Sequence, residues 1–231
     1  MINKKSVKFN VNWSIKDVIL IFIAQYTFIF LMAILGVLFK FEEIKKNLYI
    51  TNFLSNMLVL FIISILLRKR NESWKRLGLI KKNTGRLIIL GCLFGFFCFV
   101  LGEIIFFPEH LKEVINKINN FKISSLFFIL VFFKGFNSIL LGPFVEELLE
   151  RGLFYQALLK RLNRYFSITI VSILSTILHL GYITSYRKLA VIFSASFIAT
   201  YLFDKYRNLF VSIAFHSTIN YFVWLCWTLT G

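Results

Sequence analysis

The chain has 231 residues, of which 58% are hydrophobic and 29 are Phe, with 27 Lys and Arg against 11 Asp and Glu. Its mean hydropathy of +0.75 is far above that of a soluble domain, in which about half the residues are apolar. The net charge of +16 does not point to nucleic acid, because the cations stand at the ends of apolar runs and form no continuous soluble face.

A helix needs about 20 apolar residues to cross a hydrocarbon core, and the uncharged runs are taken in chain order on that measure. Val18 to Phe39 follows a basic start with Lys4, Lys5 and Lys8; it is too long for a signal peptide and lacks a small-residue cleavage pattern. Asn47 to Leu67 and Leu87 to Phe107 are the second and third runs, the latter interrupted by Glu103, and Ile123 to Leu141 is the fourth, carrying Lys134. Ser167 to Tyr186, the short run Leu189 to Phe203, which must tilt or thin the bilayer, and Asn208 to Thr230 complete the set. The expected fold is all-α, a polytopic transmembrane helical bundle of about seven spans forming one integral membrane domain over residues 1–231.

Cations are dense in Arg68 to Arg86, recur at Lys160, Arg161 and Arg164 and at Lys205 and Arg207, and are sparser at Lys40, Lys45, Lys46, Lys112, Lys117, Lys122, Arg187 and Lys188. The positive-inside rule then expects a multi-pass protein of the cell membrane with the N-terminus in the cytoplasm and Gly231 outside. Cys92, Cys98 and Cys226 lie in apolar runs without metal or disulfide spacing.

Three of the 11 acids fall in GPFVEELLERG, residues 142 to 152. Gly142 and Pro143 are expected to break or redirect the preceding helix, with a new one running from Phe144 to Leu159. Glu147 and Arg151, four apart with the acid first, are placed for an ion pair, while Glu146 points about 100° away. A polar helix lying at the interface would explain these charges alone. It would not explain His179, His216 and Asn220, all inside later apolar runs where ionisable groups are costly. Helix rise puts His179 about 18 Å into its run, His216 and Asn220 about 12 and 18 Å into theirs, and Glu146 about 21 Å from Lys160, all at middle depth.

A carboxylate, two histidines and an amide form a hydrolytic set: a base for water, a relay, and donors for an oxyanion. No HExxH motif is present and no cofactor is predicted, although zinc or another divalent metal on His179, His216 and a glutamate stays open.

The order EExxxR at Glu146, Glu147 and Arg151, then His179, then HxxxN at His216 and Asn220, resembles the CPBP intramembrane protease family, the CAAX prenyl protease and bacteriocin-processing group also called Abi. The likeness runs from about Gly142 to Tyr221, within a family-like core of about 123–229, and WKRLGLI at Trp74 to Ile80 is similar to a looser upstream element. The resemblance implies a chamber open toward the cytoplasm, Glu146 as general base with His179 as its partner on the water, His216 and Asn220 on the oxyanion side, and Glu147 and Arg151 organising the site. Two positions depart from the family pattern: Glu150 stands where an aromatic commonly precedes the arginine, and Ser175 where a Phe often lies four before the first histidine.

The function expected is that of an intramembrane endopeptidase acting on a peptide or membrane-associated protein, with the bilayer as its other partner and no nucleic acid. The alternatives are a non-catalytic bacteriocin self-immunity or membrane binding protein and, further off, a transporter using Lys134, Asn137 and the histidines. The sequence does not set the oligomeric state.

Overall fold

The computed structural model describes residues 11–38, 48–107, 109, 135–180 and 185–230. His110, Lys134, residues 123–134 of the expected fourth run, Gly231, and the lysines expected at the N-terminus and in the outer loops at positions 40–46 and 112–122 lie outside the described residues.

The described residues are helical throughout their elements. They form α1 (Ile15–Leu38), α2 (Leu48–Lys69), α3 (Thr84–Phe106), an unbroken composite helix α4 over 136–158, α5 (Arg164–Leu178), α6 (Tyr186–Tyr206) and α7 (Leu209–Thr230). Helices are what a hydrocarbon environment demands, since every backbone polar group must be satisfied within its own segment. Among the described residues five helices are long and apolar enough to cross a membrane, namely Ile15–Gly36, Ile50–Lys69, Thr84–Phe106, Tyr186–Tyr206 and Leu209–Cys226.

Two expected boundaries differ. The run Ser167 to Tyr186 is not one span: α5 has 15 residues and ends at His179, whose N–H returns to Thr176, and α6 begins only at Tyr186. The run that looked short, Leu189 to Phe203, belongs to a helix of 21 residues, because Tyr186 and Arg187 at one end and Asp204 to Tyr206 at the other continue it despite their polarity.

The third difference is at Gly142 and Pro143, where no break occurs. The chain stays helical through a π-helical turn, Phe136–Leu141, an α turn, Gly142–Glu147, a second π stretch, Leu148–Tyr155, and a last α turn, Gln156–Leu158. A proline inside a helix lacks one donor and crowds the carbonyl four residues back. Here the wider turn absorbs it: the Gly142 N–H bonds back five residues to the Asn137 carbonyl. The Ser138 carbonyl, five residues before Pro143, accepts instead from Asn220 Nδ2 at 2.9 Å. Asn56 Nδ2 on α2 donates to Asn137 Oδ1 at 3.2 Å, so two amides from other helices brace this turn.

The cation-rich end of the bundle is densely tied. Trp13, fully buried, donates from Nε1 to the Leu153 carbonyl, and Lys160 Nζ bonds the Trp13 carbonyl. Arg70 pairs with Asp17 at 2.7 Å, and Asp204 is held between Arg164 and Arg207. The loop between α2 and α3 folds inward as a 3₁₀ turn, Trp74–Leu77, with Leu77 fully buried. Gly78 then takes φ +99, and a Cβ there would sit 2.6 Å from the Phe203 ring. Its carbonyl accepts from Leu209 N–H at the start of α7, and Asn208 Nδ2 bonds the Ile80 carbonyl. The loop thus seals the cation-rich end against α4, α6 and α7.

Helices α3 and α7 pack closely, through Gly91 and Gly95. A Cβ on Gly91 would lie 2.3 Å from the Val211 carbonyl oxygen, and one on Gly95 2.5 Å from that of Phe215. This is the small-xxx-small packing by which apolar helices gain dispersion contacts in lipid, where burial of apolar surface gives little drive.

Candidate active site

The side chains of α4 that matter begin with Glu147, which is fully buried, and Arg151, one helical turn on. Arg151 Nη1 donates to Glu147 Oε1 at 2.9 Å and also to Glu150 Oε2. The other guanidinium nitrogens go to α6: Nε to Thr200 Oγ1 at 3.1 Å, and Nη2 to Ser196 Oγ at 2.7 Å and to the Ser196 carbonyl at 3.1 Å. The hydroxyls Ser196 and Thr200, four apart in a membrane helix, are the signal that marks where this cation docks. They stand out in the sequence only once a buried arginine needs acceptors. Glu150 is buried too, so the position where the family pattern has an aromatic holds a second carboxylate on the same guanidinium.

His216 on α7 reaches both members of the paired acids. Its Nδ1 lies 3.0 Å from Glu147 Oε1, and its Nε2 lies 3.7 Å from Glu146 Oε2. A carboxylate only accepts, so the Nδ1 proton points at Glu147 and Nε2 is left to face Glu146. The two glutamates differ sharply in surroundings: the side chain of Glu147 is fully buried, whereas that of Glu146 is 38% exposed. Adjacent residues on a helix diverge by about 100°, which is how one carboxylate becomes a fixed anchor and the next stays accessible.

His179 caps α5, with Nδ1 2.7 Å from the Ser175 carbonyl. The carbonyl also only accepts, so Nδ1 carries the proton and Nε2 is the basic nitrogen of the neutral ring. Ser175, the other departure from the family pattern, is buried here, and its own carbonyl sets the histidine tautomer.

A cavity of about 610 Å³ adjoins these groups, enclosed by α3, α5, α6 and α7 beside α4. Glu147, Arg151, His179, His216 and Asn220 line it, while most of the remaining wall is apolar, including Phe99, Val191, Ile192, Ile219 and Val223. Glu146 is not among the lining residues; it meets the site through His216. The structure therefore brings the sequence-read residues to one region but joins them unevenly. Arg151, Glu147, His216 and Glu146 are linked in that order, each to the next, whereas the bonds of His179 and Asn220 go to the Ser175 and Ser138 carbonyls. Among the described residues no group of three or more His, Cys, Asp or Glu could hold a metal ion.

A buried carboxylate, histidine and arginine network within a bundle of membrane-length helices marks a candidate functional site. Residues 124–222 match the family described as type II CAAX prenyl endopeptidase Rce1-like, so that segment is similar to the CAAX protease (CPBP) group. No curated protein and no solved structure matches the chain.

Proposed function

We propose that the protein is an intramembrane endopeptidase in which water activated at Glu146 hydrolyses a peptide bond of a membrane-associated substrate. The observation that carries this reading is His216 held between two unlike glutamates, its Nδ1 fixed by buried Glu147 and its Nε2 facing accessible Glu146. That is the arrangement of a positioned base and relay.

Glu146 takes a proton from water, which His179 Nε2 helps to hold, and the hydroxide adds to the scissile carbonyl carbon. The developing oxyanion accepts from Asn220, whose amide has two N–H groups and spends one on Ser138. His216 Nε2 passes the proton from Glu146 to the departing amine nitrogen as the C–N bond breaks, so water ends divided between the acyl and amine products. This gives His216 a relay role rather than the oxyanion role implied by the family likeness, because its Nδ1 donor is already committed to Glu147.

Glu146→Gln tests the reading. It keeps size and polarity and removes the base, so cleavage of a membrane-associated peptide by purified protein should be lost while membrane abundance stays near normal. Unimpaired turnover would remove Glu146 from the account. Arg151→Ala should instead lower both abundance and activity, since it strands two buried carboxylates.

A further inference from the structure

Helix α4 is fixed on both sides of the stretch that carries Glu146 and Glu147. After them, Arg151 is tied to Ser196 and Thr200 of α6, the Leu153 carbonyl accepts from Trp13, and Gln156 Nε2 donates to the Arg76 carbonyl. Before them, Asn137 Oδ1 accepts from Asn56 Nδ2 of α2 at 3.2 Å, and both side chains are buried. Between the two sets of ties lies the π turn Phe136–Leu141.

A π turn bonds five residues back where an α turn bonds four, and single π turns within α-helices are frequent at functional sites. The donors around this one show what the extra residue accomplishes. The Gly142 N–H goes to the Asn137 carbonyl, which leaves the Ser138 carbonyl to accept from Asn220 Nδ2 of α7. Were the turn to tighten into α geometry, Gly142 would take the Ser138 carbonyl and Asn220 would lose that partner. Tightening shifts the register by one residue, a rotation of about 100° between the two sides of the turn. The later side is pinned to α6, so the earlier side has to rotate and carry Asn137 off α2. The bond between Asn56 and Asn137 opposes that rotation, because breaking it leaves two buried amides short of a partner.

We infer that Asn56, acting with Asn137, is a positioning residue for hydrolysis: the amide pair holds the π turn open, keeps the Ser138 carbonyl for Asn220, and so fixes Asn220 on the cavity wall that it lines. Asn56 stands on α2, outside residues 124–222, so the family-like segment takes this restraint from a helix it does not contain. The effect on turnover rests on the peptidase reading, whereas the restraint of the turn rests on the hydrogen bonds alone. The plain alternative is an amide pair that merely joins two apolar helices. It predicts effects independent of Asn220.

The test is a double-mutant cycle between Asn56→Leu and Asn220→Leu, with Asn137→Leu as a second way to remove the amide pair should Asn56→Leu fail to fold. Melting of the purified protein in detergent needs no turnover. Once Asn56→Leu frees the turn, Gly142 covers the Ser138 carbonyl, so the further loss of Asn220 should lower the melting temperature much less than it does in the parent chain. Losses that simply add would make the pair interhelical glue and overturn the inference. In cleavage assays Asn56→Leu should lower kcat several-fold at nearly unchanged KM, and lower it no further in the Asn220→Leu background. The same fractional loss in both backgrounds overturns it equally. A parent chain that cleaves nothing, but whose variants show the sub-additive melting, loses the peptidase reading and keeps the restraint of the turn by Asn56.

Discussion

Glu147 and Glu150 draw on the same nitrogen of Arg151, so one buried guanidinium faces two buried carboxylates. The two acids are not equivalent, because Glu147 also holds His216 and Glu150 does not. Glu150→Gln should leave melting in detergent unchanged or raised, since it withdraws a surplus negative charge and keeps an acceptor for Arg151. Glu147→Gln should lower it, by up to the roughly 3–5 kcal/mol of a broken buried pair, and also cut turnover by releasing His216. Equal effects of the two changes would contradict the assignment of Glu147 as anchor. Asn220 poses a finer question, since its amide serves the Ser138 carbonyl that Pro143 has no N–H to reach. Asn220→Leu should cost about 1–3 kcal/mol for the uncovered carbonyl and about a hundredfold in turnover for the lost oxyanion donor. Adding Pro143→Ala returns a backbone N–H to that stretch, so the double variant should regain stability but not turnover. Recovery of both would assign Asn220 to bracing alone. The sequence made the ionisable members of the site legible because charge in apolar helices has few ordinary explanations. It separated Glu147, paired with Arg151, from Glu146 by helix geometry, but it hid that His216 reaches both, which depends on which face of α4 meets α7, and it hid Asn56, Ser196 and Thr200, whose residue types are unremarkable until their partners are placed.

At the scale of the elements, hydrophobic length located α1, α2, α3 and α7 to within a few residues of where they are found. It misjudged the stretch between Ser167 and Phe203, because hydropathy runs on through the end of α5 while the backbone turns at His179. The continuous helix through Pro143 was not legible either, since the compensating bonds come from α2 and α7. Gly91 and Gly95, by contrast, stand four apart in an apolar helix, and that spacing alone points to close packing. A side chain at either position would meet a carbonyl oxygen of α7, which cannot move aside as a flexible side chain can. Gly95→Val should therefore lower stability by roughly 1–3 kcal/mol, the usual cost of overpacking. It should also shift α7, which carries His216 and Asn220, so turnover should fall further than stability explains. Gly85→Val, on the same helix with open space about it, is the control and should change neither. Matching behaviour of the two variants in thermal melts would count against the α3–α7 contact as a determinant of the site.

The whole molecule raises the question of how much chain the site requires, since the family match covers residues 124–222. Much of what positions that segment lies before it. Leu77 plugs the core against Gly152, Trp13 bonds the Leu153 carbonyl, Gln156 bonds the Arg76 carbonyl, and α3 gives α7 its close contact. In lipid there is little hydrophobic drive to hold helices together once such contacts are removed, so association depends on packing and polar bonds across helices. The expectation is that residues 108–231 expressed alone insert but do not assemble: they should be degraded in membranes and show no cleavage. Co-expression with residues 1–107 should restore both abundance and activity, because each helix inserts on its own and the missing surfaces are then supplied in trans. Abundance by immunoblot and cleavage by the copurified halves would measure this. Full activity of residues 108–231 alone would mean that the N-terminal helices serve only as lipid-facing cover and that Leu77, Trp13 and the α3 glycines do not position the site.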